Sequence, residues 1–233
     1  MKKRGFTLAE VMVALTLVGV IASLTIPTFV ASSRNKANAA KLATTISAVE
    51  NAFTTMIASE AVRDFSETKF VNDPTALNLG DYFKTTTSGA TLVPRYGSAN
   101  PYIDLDGNAL ADFPVTRFFE SKNGAIITYN TNSVSKNPET VVAEGGSITN
   151  SVGRLYIDVN GPAKPNTWGR DVFYFRIGND GLLYPAGGVN FAILEGQSGK
   201  TWRSANSDFS CGTSKRTIGC TARLIENNYD IDY

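Results

Sequence analysis

The sequence predicts an α+β protein: one long N-terminal α-helix packed on a small antiparallel β-sheet with irregular loops. Three observations carry this. Residues 11–31 contain no charged side chain, a run of about 31 Å as helix and so long enough to cross a bilayer core of about 30 Å. Beyond it Leu42, Ile46, Val49, Phe53 and Met56/Ile57 recur at steps of three and four, with Lys41, Thr44, Ser47, Glu50 and Asn51 between them, so the helix continues with one apolar stripe. Towards the C-terminus, Leu155–Val159, Val172–Ile177 and Leu182–Tyr184 are short aliphatic and aromatic runs broken by turn residues, as antiparallel strands are.

The helix is expected from about Phe6 to Val62. Ala37, Ala39, Ala40, Ala43 and Ala48 favour it intrinsically. Pro27 lacks an amide hydrogen and is expected to kink or locally melt it, and Gly19 adds a second soft point. Asp73-Pro74 reads as the start of a short helix ending near Lys84, and Thr85–Gly89 as a polar linker. Phe113–Glu120 and Ala125–Asn130 read as strands joined by the Lys122-Asn123-Gly124 turn. Asn132–Asn150 is poor in large apolar residues and reads mainly as loop.

Composition excludes several functions. The 233 residues carry a net charge of +1, which is no electrostatic footprint for nucleic acid. There is no histidine, so the commonest general base and metal ligand are both missing. The carboxylate pairs Asp104/Asp106 and Asp230/Asp232 read as turn and tail chemistry. Gly196–Thr201 has a P-loop ending, but Leu194 stands where the first glycine is required. No enzyme is expected.

Two features remain in the C-terminal part. Cys211 and Cys220 are expected to close a small disulfide loop if the domain lies outside the cytoplasm, two buried thiols being the alternative. Between the first two strands, Asp158, Asn160, Asn166 and Asp171 form a candidate calcium site, since a hard cation takes six to eight oxygens. The other reading has these side chains bonding backbone amides in a tight connection.

The N-terminus decides between three uses of the apolar run. A cleaved secretory signal has an apolar core of only about 7–15 residues. A plain anchor fits the length but leaves Glu10 unexplained, because a charge at membrane depth is costly. The segment Lys3-Arg4-Gly5-Phe6-Thr7-Leu8-Ala9-Glu10 resembles the signal of type IV prepilins and of the pseudopilins of type II secretion. The resemblance implies cleavage after Gly5 by a prepilin peptidase and N-methylation of Phe6. It also implies an assembly role for Glu10, whose carboxylate meets the new Phe6 amine of a neighbouring subunit. Pro27 falls where family members often perturb the helix.

The resemblance implies a pilin-like fold with residues 1–5 as leader, 6–31 as transmembrane and assembly helix, 32–63 as its amphipathic half, and 64–233 as an extracytoplasmic globular domain. Implied partners are other pilins or pseudopilins, copies of the chain itself, the peptidase, an inner-membrane assembly platform and membrane lipid. The implied location is the inner membrane in a single pass, then a periplasmic or extracellular filament. Major pseudopilins carry calcium in a C-terminal loop, with a spacing that Asp158–Asp171 does not reproduce. The competing reading is a membrane-tethered binding or adhesion module with the same helix as a simple anchor.

Overall fold

The computed structural model describes residues 5, 7–73, 79–89, 96–97, 101–109, 117–129, 139–142, 148–189, 200–204, 209–212, 218–231 and 233. Helix α1 runs from Leu8 to Glu60 and passes through Pro27 without a break. It ends at Ala61, whose left-handed φ of 52° lets its amide bond back to Ala58 and Ile57 carbonyls. Its buried residues are Ala39, Leu42, Thr45, Ile46, Val49, Ala52, Phe53 and Met56, the expected stripe with small residues filling between.

Among the described residues seven antiparallel strands form one sheet. They are β1 (Thr85–Gly89), β2 (Arg117–Ser121), β3 (Ile126–Tyr129), β4 (Glu139–Val142), β5 (Ile148–Asp158), β6 (Val172–Gly178) and β7 (Leu183–Pro185). The order is β1-β2-β3-β5-β6-β7, and β4 pairs with the start of β5 on the edge where β3 pairs with its end. The described residues also include short helices α2 (Lys69–Asn72) and α3 (Cys220–Glu226), with 3-10 turns at Phe65–Glu67 and Leu79–Asp81.

Period-two alternation gives the sheet two buried faces. Phe119, Ile127, Tyr129, Leu155, Ile157, Phe173, Phe175 and Ile177 meet the α1 stripe, with Phe65 and Phe70 closing the far end. Phe118, Ile126, Tyr156, Val172 and Tyr174 point the other way, under Tyr102, Trp168 and Phe209. Burying a large apolar side chain stabilises by about 1.5–3 kcal/mol, so these two layers are what hold the domain.

Turns anchor the sheet to the helix. Gly124, at φ 81°, closes the β2–β3 hairpin, and Asn123 Nδ2 donates to Thr45 Oγ1 of α1 at 3.1 Å. Gly181, at φ 79°, turns β6 into β7, and Leu183 N donates to Glu50 Oε1 of α1 at 3.0 Å.

One expectation is corrected. Thr85–Gly89 is not a linker but edge strand β1, paired with β2. Its three central side chains are exposed, so no apolar alternation marks it, and β-branched threonines with main-chain bonds hold it in place. Asn132–Asn150, read mainly as loop, contains β4 and the start of β5, and its other residues lie outside the described ones. The helix expected from Asp73-Pro74 falls mostly outside the described residues, and its end, Leu79–Asp81, is a 3-10 turn.

Candidate functional site

The N-terminal segment begins with an exposed Gly5, while Phe6 and the basic residues Lys2, Lys3 and Arg4 lie outside the described residues. Thr7 is extended and caps α1. Its hydroxyl accepts from Glu10 N at 3.2 Å, and Thr7 N donates to Glu10 Oε2 at 2.8 Å, a reciprocal capping box. Glu10 therefore has a partner within its own chain. Thr7 was legible as the first member of a Thr-x-x-Glu pattern ahead of an apolar run, a signal the sequence reading passed over.

From Leu8 to Asn38 the helix buries no side chain; Ala39 is its first buried residue. Leu15, Leu24 and Phe29 are 67%, 70% and 75% exposed. The helix is long and apolar enough to cross a membrane. In water this surface is a large unburied apolar area, so it requires lipid or other apolar helices around it.

The second candidate, the β5–β6 loop, is drawn against α1 where the apolar run ends. Asp158 is 1% exposed at the end of β5. Its Oδ1 accepts from Asn160 N at 3.2 Å and Gly161 N at 2.9 Å, and its Oδ2 from Tyr96 OH at 2.6 Å. Burial pushes this carboxyl up to about 7, against the pull of the three donors. Burial and the Asp158 charge push the Tyr96 phenol well above its ordinary range. Asn160 Nδ2 donates to Ala163 O and Pro165 O at 2.8 and 3.0 Å. The Asn166 amide, oriented to donate, reaches Ala163 O and Gly161 O at 2.8 and 3.0 Å. Asp171 Oδ2 accepts from Thr167 N at 3.1 Å, and its Oδ1 from Asn38 Nδ2 of α1 at 2.9 Å. Burial raises the Asp171 carboxyl too, opposed by the Thr167 amide and by Arg170 and Arg34.

Each of the four proposed calcium ligands is thus engaged in folding the loop, two of them donating through amide nitrogens. This arrangement favours backbone capping over cation binding. Among the described residues no group of three or more His, Cys, Asp or Glu side chains is placed to hold a metal ion. The Asp104 turn behaves likewise: Asp104 Oδ1 accepts from Asp106 N at 2.9 Å and Asn108 N at 2.8 Å. The sequence reading overlooked Tyr96 and Asn38, distant residues that complete the loop's bonding and carry no local pattern.

Cys211 and Cys220 form the expected disulfide, with Cα atoms 4.6 Å apart. The bond joins the 209–212 segment to the first residue of α3. Next along, Thr221 Oγ1 accepts from Tyr174 N of β6 at 3.1 Å, and Ala222 N donates to Ala186 O at 3.0 Å. The disulfide therefore ties the C-terminal segment to the sheet.

No curated protein and no solved structure matches the chain. Residues 1–26 match the family described as the prokaryotic N-terminal methylation motif. A chain with that motif, a membrane-length helix and an α+β body of this arrangement carries the type IV pilin and pseudopilin signal on a pilin-like fold.

Proposed function

We propose that the chain is a structural subunit of a type IV pilus or type II secretion filament, made as a precursor and without catalytic activity of its own. The observation that carries this is the pairing of the methylation motif with a helix whose first thirty or so residues find no cover in their own domain. Residues 1–5 are the leader, removed by prepilin peptidase after Gly5, and Phe6 becomes the N-methylated first residue. Residues 6–31 serve first as membrane anchor and then as the helix that packs against other subunits. Residues 32–63 join that helix to the extracytoplasmic domain, 64–233. Pro27 is a place where the assembled helix can yield, since one intrahelical bond is already missing there.

Cleavage after Gly5 creates an ammonium on Phe6. Glu10 of one subunit and Phe6 of the next then form an ion pair, which lowers the cost of both charges in lipid and sets the axial register. The test is filament incorporation of Glu10→Ala and Glu10→Val in cells with the peptidase and assembly ATPase. Both variants are expected to insert and be cleaved but to stay out of sheared filaments. Incorporation at the wild-type level contradicts the assembly role. A wild-type chain that stays in the membrane as a monomer supports the tethered binding module instead.

A further inference from the structure

A cleft of about 250 Å³ opens between α1 and the β5–β6 loop. Ala31, the last residue of the apolar run, lines it together with Arg34 and Asn38, and Lys164, Arg170 and Asp171 line it from the loop. Arg34, Lys164 and Arg170 are exposed, while Asp171 is buried. Both Asp171 oxygens accept internal bonds, from Asn38 and from the Thr167 amide. Arg34 and Lys164, with Arg170 whose guanidinium is partly engaged by Tyr233 O, outnumber the one internally bonded carboxylate and leave the cleft positive. A calcium ion is repelled here and an anion is attracted.

The height of the cleft identifies the anion. Ala31 to Asn38 rises about 10 Å along the helix. The headgroup zone on each side of a bilayer is about 5–8 Å deep. With residues 11–31 in hydrocarbon, the cleft stands in the headgroup layer, where the anionic group of a phospholipid is its phosphate.

We propose that this cleft binds the phosphate of an anionic phospholipid, with Arg34, Lys164 and Arg170 as donors. Arginine presents a fork that matches phosphate oxygens, and lysine adds a mobile point charge. A subunit held this way sits at a fixed depth with its domain seated on the membrane surface. The proposal rests on reading α1 as a membrane span.

The test uses the full chain in phosphatidylcholine nanodiscs with spin-labelled phosphatidylglycerol, and spin-labelled phosphatidylcholine as the reference. The wild type is expected to immobilise phosphatidylglycerol on the order of fivefold more than phosphatidylcholine, about the effect of one cation at an anionic surface. R34Q/K164Q is expected to lose most of that preference. It spares Arg170, whose Nη2 donates to Tyr233 O at 3.0 Å. Equal immobilisation by the wild type, or an unchanged preference in the variant, overturns the proposal. Displacement of the lipid by millimolar inorganic phosphate overturns the lipid assignment in favour of a free-phosphate site. An unchanged lipid preference with lost filament incorporation overturns it in favour of an acidic protein neighbour. Carbonate washing separates the two levels. A wild-type chain that washes off the membrane sinks the span reading with the cleft proposal, whereas one that stays embedded without the preference sinks the cleft proposal alone.

Discussion

In the lone chain the Glu10 carboxylate is already engaged, as the return half of a capping box with Thr7. Capping and assembly make different demands, and two substitutions separate them. Thr7→Ala is expected to cost the helix about 1 kcal/mol and to leave filament incorporation largely intact. Glu10→Ala is expected to abolish incorporation. Equal loss in both variants would reduce Glu10 to a cap. Asp158 makes a prediction of a different kind. Its folded value of about 7 lies above the ordinary 3.8, so the folded chain holds this proton more tightly than the unfolded one. Its contribution is full below about pH 4 and is lost as pH rises through about 7. The full size is on the order of 4 kcal/mol, and melting of the detergent-solubilised full chain between pH 5 and 8 reads a little over half of it. Asp158→Asn keeps an oxygen for the two amides and is expected to flatten this slope; an unchanged slope would move the titration elsewhere.

Helix α1 is one element with two jobs, and its halves answer differently to the same kind of change. Phe53 is fully buried, with ring centroids of Phe65 and Phe70 at 4.4 and 5.5 Å. Phe53→Ala is expected to destabilise the chain by about 3–5 kcal/mol in denaturant unfolding. Leu15→Ala is expected to leave that stability nearly unchanged, because Leu15 is largely exposed and belongs to neither core layer. At the other end of the chain, a Cβ on Gly219 would collide with Phe209 O beside the disulfide. Gly219→Ala is therefore expected to lower the melting temperature sharply, while an alanine at half-buried Gly212, where a Cβ meets nothing within 4 Å, does not. The stripe from Leu42 to Met56 was legible because burial on one face writes a period into the sequence. The β2–β3 and β6–β7 hairpins were legible for a related reason: Gly124 and Gly181 mark turns that need positive φ. Strand β1 was not legible, since an edge strand with exposed threonines is held by main-chain bonds that leave no pattern. The Asp158–Asp171 loop was legible as a unit, but its purpose was not. Oxygen-rich side chains look alike whether they face a cation or a backbone amide, and Arg34 and Asn38 are more than a hundred residues away in sequence.

At the scale of the molecule, an ordered α+β body is joined to a helix that exposes apolar side chains from Leu8 to Val30. On the proposed function such a chain has two surroundings, a bilayer and a bundle of its own helices, and the domain's own core involves neither. On the same reading, cleavage after Gly5 would be the step that changes the chain's chemistry, replacing a basic leader with a single amine on Phe6. The most direct test is N-terminal mass spectrometry of the chain from sheared surface material or an enriched filament fraction. The expected product is a chain that begins at Phe6 and carries one N-methyl group, absent from a strain lacking the prepilin peptidase. A filament-fraction chain that still begins at Met1, or that has been cut beyond Ala31, would contradict this expectation.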